Sequence, residues 1–465
     1  MNLTLRPYQT DIIRRLREAY RAGYHAPLLQ SPTGSGKTVM FAYITDSASR
    51  RGTRVYILVH RQELIGQCSG ALFGLNVPHG IIAPGRTMTH DLVQVASVQT
   101  LVRRLDRVPA PDLIIIDECH HTVAGSWRNI LDRYPSANLM GVTATPVRLD
   151  GCGLGKQSGG FYDVIVNGPT VRELVHAGYL SQPVVYAPPT GIDVSGVHRR
   201  YGDFIRSELM ERLDRPTITG CAVDHYRRLC PDAPAIAFCV SVAHAEHVAG
   251  QFNEAGIPSA SIDGTLSDYE RRGRIRDLAS GAIRVLTSCE IISEGTDIPV
   301  VTAAILLRPT ESMGLYLQQC GRALRPHPGK NESIILDHAG NTFRHGLPDD
   351  EREWTLDGEM SGKRITDESV PRVVQCERCY IVYSAMLRVC PSCGFERKAD
   401  AREIEQIDGE LQKVDAETVQ RLRRREVGKA RTLEQLQEIA RERGYKPQWA
   451  HYVWQARQSR QGVLV

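Results

Sequence analysis

A chain of 465 residues is several times the roughly 100–200 residues of a usual domain, so two or three domains with separate cores are expected. With 42% hydrophobic and 24% charged residues, the composition excludes wholesale disorder, and no stretch supplies the run of about 18 apolar residues that a membrane span needs. The net charge of +4 is too mild to demand a polyanionic partner, although arginine, which suits bidentate phosphate contacts, outnumbers lysine. MNLTLRPYQT lacks the basic start and apolar run of a signal peptide, so a cytoplasmic location is expected. Eight of the twelve cysteines are expected as reduced, buried thiols, and only four look deliberately arranged.

In chain order, apolar Leu28 and Leu29 lead into SPTGSGKT (31–38), and helix-like VMFAYITDSA follows. This is the strand, loop, helix context that a phosphate-binding loop requires. Thr33, Gly34, Ser35 and Gly36 form the loop, whose glycines let backbone amides face phosphate oxygens; Lys37 is placed to neutralise the terminal phosphates and Thr38 to ligate Mg²⁺. Ser31 stands where the common pattern has glycine. Apolar runs VYILVH (55–60) and LIIID (113–117) alternate with helix-like stretches, the pattern of a parallel α/β sheet. DLIIIDECHH (112–121) sets two carboxylates at the end of a buried strand. There Asp117 would hold Mg²⁺ through water, and Glu118 would orient or deprotonate the attacking water. GCGLGKQSGGFYD (151–163) reads as a mobile loop, and PTVRELVHAGYLSQPVVY (169–186) as a helix and crossover strand. Residues 1–188 are assigned to a first α/β domain.

Residues 189–345 repeat the alternation, with strands AIAFCV (235–240), RVLTSC (284–289), AAILLR (303–308) and SIILDHA (333–339). In YLQQCGRALR (316–325), Gln318, Arg322 and Arg325 fall on one helical face at i, i+4 and i+7. An arginine from a facing domain would meet the charge that develops in phosphoryl transfer. Residues 346–372 read as a linker to a cysteine module at 373–398. CERC and CPSC supply Cys376, Cys379, Cys390 and Cys393 as two knuckles of a tetrahedral Zn²⁺ site, with a redox dithiol as the alternative. Four thiolates leave no open position, so the metal is expected to be structural. Arg388, Arg397, Lys398, Tyr380 and Tyr383 around the knuckles offer charge and stacking to a strand, or plain solvation. Residues 399–465 have helical spacing, and Trp449, Tyr452 and Trp454 read as packing a helix onto the body, with a partner or DNA role as the alternative.

In the right order, LRPYQ (5–9), SPTGSGKT, DECH (117–120), TATP (143–146), SEGTDIP (293–299) and QCGRALR (319–325) resemble the motifs of superfamily 2 DExH helicases over residues 3–345. The resemblance implies an α/β chain of two tandem RecA-like domains, followed by a small zinc ribbon and a helical tail. It implies an ATP-driven motor on nucleic acid, with Arg6 and Gln9 at the nucleotide and Gln9 reading the adenine. By the same likeness Arg322 and Arg325 sense the terminal phosphate, Gly295 and Asp297 lie near the nucleotide, and His120, Thr143 and Thr145 couple hydrolysis to the strand. His60, Arg61, Gln99 and the region after Thr287 would grip a nucleic-acid backbone, with Thr287 among the nucleic-acid and coupling positions and His60, Arg61 and Gln99 equally open to a reading as surface polar residues. LRPTESMGLYLQQCGRALRPHPGK (307–330), LDHAGN (336–341) and the cysteine module further resemble RadD-type bacterial repair helicases and phage helicases of the same build. The cofactors implied are ATP, Mg²⁺ and structural Zn²⁺. The partner implied is DNA, in repair, recombination or replication within a bacterial or phage setting, with no membrane. An RNA helicase, or an ATP-gated clamp that recruits partners without unwinding, stay open as alternatives.

Overall fold

A computed structural model describes residues 4–122, 125–148, 152–187, 198–200, 203–205, 208, 216–289, 298–357, 373–376, 378–379, 381–396, 432–442, 449–451 and 453–454. The chain forms two compact units, Met1–Arg397 and Lys398–Val465. In the larger unit, seven strands make the first sheet: β1 (Pro27–Gln30), β2 (Val55–Val59), β3 (Gly80–Ile82), β4 (Val93–Ser97), β5 (Leu113–Asp117), β6 (Asn138–Thr143) and β7 (Val164–Asn167). Their order is β3-β4-β2-β5-β6-β1-β7, with every neighbouring pair parallel. β2 and β5 are buried at every position, as a parallel sheet covered on both faces requires. Successive residues serve opposite faces: Val55, Ile57 and Val59 pack with Ile12, Leu16 and Phe41, whereas Tyr56 and Leu58 pack with Leu28, Ile116 and Trp127.

The second sheet contains β8 (Gln182–Tyr186), β11 (Ala235–Phe238), β12 (Ser259–Ile262), β13 (Val285–Ser288), β14 (Ala303–Leu306), β15 (Glu332–Asp337), β16 (Val373–Gln375) and β17 (Ile381–Ser384). Its order is β12-β13-β11-β14-β15-β8-β17-β16; a two-residue ribbon, β9 (Arg199–Arg200) with β10 (Asp203–Phe204), stands apart. The two α/β lobes are RecA-like.

Four local expectations change. The crossover strand β8, placed with the first domain by its position in the chain, hydrogen-bonds to β15 in the second sheet from Gln182 through Tyr186. The cysteine module is no appendage either: β17 pairs antiparallel with β8, Val382 opposite Val185, so the hairpin covers what is otherwise a sheet edge. Residues 152–163 are packed rather than mobile, with Leu154 and Tyr162 buried in the first lobe's core. Gly160 there serves close approach: a Cβ on it would sit 2.0 Å from the Leu154 carbonyl oxygen.

The beginning of the expected linker also folds back. Residues 346–357 leave the second lobe and lie on the first as a strap, where the Asn167 side chain donates to the Trp354 carbonyl (3.3 Å) and Gly155 N–H to the Leu356 carbonyl (2.9 Å). Leu356 packs against the apolar cluster of Leu154 and Tyr162, and Arg352 donates to the His345 and Leu347 carbonyls at 3.0 and 2.8 Å. A cavity of about 380 Å³ lies between the strap, Thr33, Thr145 and Leu317. In the smaller unit, the helix Leu433–Glu442 buries Leu436 and Ala440 against Ala450, with Trp449, Val453 and Trp454 around them. Trp449 and Trp454 thus pack a helix within this unit; Tyr452 lies outside the described residues.

Candidate nucleotide-binding and coupling site

Strand β1 delivers the chain into the loop Ser31–Gly36, and the helix Lys37–Ser49 begins directly after it. Gly34 and Gly36 take φ of 86° and 80°, in the left-handed region where a side chain is strained. Space is also lacking, since a Cβ on Gly36 would lie 2.6 Å from Gln9 Nε2. The loop is braced by Ser31 Oγ on Ser35 Oγ (2.8 Å) and, from the helix Pro7–Arg21, by Tyr8 and Gln9 donating to the Ser35 carbonyl at 2.6 and 3.1 Å. Lys37 Nζ donates to the Ser31 and Pro32 carbonyls at 3.2 and 3.3 Å, which holds it at the mouth of the loop.

Asp117 ends β5 and is buried; Glu118 follows with φ of 50°, a strained backbone of the kind found where a side chain must be aimed. Glu118 N–H donates to Asp117 Oδ1 (3.0 Å), and a Glu118 carboxylate oxygen stands 3.5 Å from His120 Nδ1. The same His120 nitrogen meets Thr143 Oγ1 at 2.9 Å, and Thr143 Oγ1 donates to the Thr145 carbonyl at 3.1 Å. The imidazole and the two threonines therefore form one hydrogen-bonded chain across the ends of β5 and β6, with the Glu118 carboxylate beside the imidazole. The oxygen donors Thr38 and Asp117 suit a hard cation such as Mg²⁺.

The second lobe faces this loop with the helix Met313–Ala323, whose Ser312 accepts from Leu315 N–H as its N-cap. A Cβ on Gly321 would lie 2.6 Å from Thr33 Cβ, and one on Gly314 2.9 Å from Thr145 Oγ1. Arg325 comes over the loop from just past the helix end, its Cγ 3.6 Å from a Cβ built on Gly34. Arg322 is 6% exposed and Gln318 4% exposed. Lys37 feels all of these charges: burial pulls its ammonium down, Glu118 and Asp117 push it back up, and Arg322 and Arg325 lower it. Groups from both lobes thus share one electrostatic site.

Other residues singled out in the sequence fall in varied places. Arg6 lies with its guanidinium 4.5 Å from the centre of the Tyr179 ring, and Tyr179, which carries no motif signal, stands 5.2 Å from Tyr8. His60 and His120 are bridged by His121, with ring centres 4.5 and 4.1 Å from it, and Gln99 Nε2 donates to the His60 carbonyl at 3.2 Å. His121 lies in the sequence beside His120 but gives no sign that it reaches His60. Arg61 begins the helix Gln62–Gly74 as its N-cap residue. Thr287 is not brought to this surface: it is fully buried in β13 and its hydroxyl donates to the Ala245 carbonyl at 2.7 Å. Gly295 and Asp297 lie outside the described residues.

Cys376, Cys379, Cys390 and Cys393 bring their sulfurs within 4.8 Å of one another, the pairs Cys376–Cys393 and Cys379–Cys390 at 3.6 Å. A tetrahedron of thiolates at the usual Zn–S length of about 2.3 Å has edges of about 3.8 Å. Burial alone would raise the Cys376 thiol, but the Cys379 and Arg378 N–H groups, together with the Cys393 and Cys379 side chains, more than offset it and bring it down to about 7. Tyr383, expected as a stacking surface, is buried against Cys376 and Cys390 and cannot present its face to a strand. Arg388 is exposed, whereas Tyr380, Arg397 and Lys398 lie outside the described residues.

Two RecA-like lobes that enclose a phosphate loop, a strand-end acidic pair and arginines from across the cleft define a two-lobed ATPase. The family description "Type III restriction enzyme, res subunit" matches residues 2–148, and "Helicase conserved C-terminal domain" matches residues 222–327. A 51.5 kDa protein of a Lactococcus phage (isolate 7-9) is 33% identical over 393 residues, covering 84% of this chain and 83% of that protein. The Saccharomyces cerevisiae protein named as ATP-dependent helicase IRC3 is 30% identical over 358 residues, 72% of this chain and 51% of that one. Among solved structures, the ATP-dependent Type ISP restriction-modification enzyme LlaBIII bound to DNA superposes with a TM-score of 0.53 at 17% identity. That superposition covers 72% of this chain and 28% of that one and is a likeness of fold. This chain belongs to the superfamily 2 helicases, the nucleic-acid-dependent ATPases that carry these two domains. It spans most of the phage relative and about half of the yeast one. Among the described residues, no helix is long and apolar enough to cross a membrane.

Proposed function

We propose that this chain is an ATP-dependent DNA helicase or translocase. The carrying observation is that Arg322 and Arg325 of the second lobe and Asp117 and Glu118 of the first all act on the charge of the buried Lys37, with Arg325 lying over the loop at Gly34. A terminal phosphate bound there meets the loop amides and Lys37 on one side and two guanidinium groups on the other. Thr38 and Asp117 would hold Mg²⁺, which supplies charge neutralisation at the phosphates. Glu118 orients the attacking water and takes its proton, Gln318 steadies the arginine helix beside the phosphate, and His120 with Thr143 and Thr145 relays the state of Glu118 to the facing helix. Hydrolysis removes what the arginines grip, so the lobes part, and the next ATP draws them together.

The loops carrying His60, Arg61 and Gln99 stand beside that relay and suit a backbone grip on a strand, while Arg6 and Gln9 border the base side of the loop, with Gln9 fixing it from behind. DNA rather than RNA is favoured by the restriction-enzyme description matched by the first domain. The zinc reading rests on four converging sulfurs in a short hairpin and makes the metal structural. The narrower likeness to RadD-type repair helicases, and with it a repair, recombination or replication setting, rests on the sequence motifs. The test is phosphate release with single-stranded, duplex and forked DNA and with RNA, alongside strand displacement from the fork. DNA is expected to stimulate hydrolysis more than RNA does. Stimulation by RNA alone would overturn the DNA assignment, and ATP-dependent binding with no movement or displacement would overturn the motor.

A further inference from the structure

The turn that ends the arginine helix is held from inside. A helix leaves its last carbonyls without intrahelical partners, and here the carbonyls of residues 323–325 are all taken. Ser333 Oγ donates to Ala323 O (2.6 Å), Ser181 N–H to Leu324 O (2.8 Å), and Lys330 Nζ to both Ala323 O and Arg325 O, the latter at 2.7 Å. The third donor of the same ammonium goes to Val301 O (2.7 Å), just before β14. Lys330 therefore joins the exit of the helix to the sheet beneath it. A lysine in the turn-rich PHPGK (326–330) would ordinarily extend into water. This one turns inward although burial, and after it the charge of Arg325, pull its ammonium down to about 7. Three carbonyl oxygens and the negative end of the helix dipole offset that cost.

We propose that Lys330 is a positioning residue for hydrolysis, which fixes the helix exit so that Arg325 and Arg322 meet the terminal phosphate at the right distance. The inference rests on the reading of Arg325 as a phosphate-facing group. It makes Lys330 act through the arginines, since its three donors are taken by backbone carbonyls at the helix exit and just before β14.

The test is a double-mutant cycle on the full chain with saturating single-stranded DNA, reading kcat and the KM for Mg-ATP in K330M, R325A and the double variant. K330M is expected to lower kcat about tenfold with KM within about twofold, as a misplaced catalytic group does. In the R325A background it is expected to add no further loss. A wild-type kcat in K330M, or losses that multiply in the double variant, would overturn the positioning role. Wild-type turnover in R325A would instead overturn the reading of Arg325, a separate result. Should K330M not fold, K330R, which keeps the cation but not its three-fold donor geometry, carries the same cycle with the same criteria.

Discussion

On the proposed reading Lys37 and Arg322 meet the terminal phosphate from opposite lobes, so their removal should separate two kinds of defect. Among the described residues Lys37 bonds to carbonyls of its own loop, and Lys37→Ala is expected to leave the fold intact while lowering hydrolysis by roughly 10²–10³-fold or more. Arg322→Ala is expected to spare nucleotide binding and to slow turnover by about 10³-fold, as loss of an arginine finger does. Nucleotide affinity and single-turnover hydrolysis, measured on both variants, check the pair; an Arg322→Ala enzyme with unchanged turnover would remove the arginine from the chemistry. At this scale the sequence was most informative where the chemistry is contiguous. SPTGSGKT and DECH announce themselves because a loop and a strand end each bring neighbouring residues to one point. Tyr179 and the contact of His121 with His60 were not legible, since each depends on the meeting of two segments far apart in the chain.

Among elements, the end of the second lobe carries a pH signature. His345 closes the short helix Asn341–His345, stacks on Tyr316 and shares a 2.8 Å hydrogen bond with the Thr310 carbonyl. Burial lowers its pKa from 6.5 to about 4. Between those values the unfolded chain holds the extra proton, so this histidine's contribution to stability rises with pH and is lost as pH falls from 6.5 towards 4. The stability difference between wild type and His345→Asn should therefore narrow on acidification, at up to about 1.4 kcal/mol per pH unit. Urea unfolding across that range measures it, and a difference independent of pH would contradict the burial. The strands themselves follow the continuous apolar runs closely, as with β2, β5 and β14. Sheet membership does not: β8 reads as a strand from its residues, but nothing local says that β15 and a cysteine hairpin are its partners.

For the molecule as a whole, the strap means that the larger unit's two lobes are connected twice, once through the segment before β8 and again through residues 346–357. Leu356 is its apolar anchor on the first lobe, and Leu356→Ala is expected to cost about 1–2 kcal/mol, below the range for a fully buried leucine because this one is only partly covered. Faster proteolysis within 346–357, with little change in the affinity for ATP, would accompany that loss; unaltered protection would show that the strap is held by its backbone bonds alone. The glycine-rich stretch and the linker were misread in the sequence for the same reason. Glycine and polar residues mark irregular backbone, but they do not reveal whether another part of the chain has packed onto it.

The placement of β8 also dictates an order of events at birth. Its five residues emerge from the ribosome long before Glu332–Asp337, and at about 5–20 residues per second the wait for that neighbour is roughly 7–30 s. During that interval Pro183, Val184 and Val185 form an apolar ribbon with neither flank satisfied, next to a first lobe whose own sheet was finished by Asn167. Nascent chains of this protein are therefore most exposed to misassociation after the first lobe has closed and before the last hairpin is made, a window in which a chaperone has one short segment to shield.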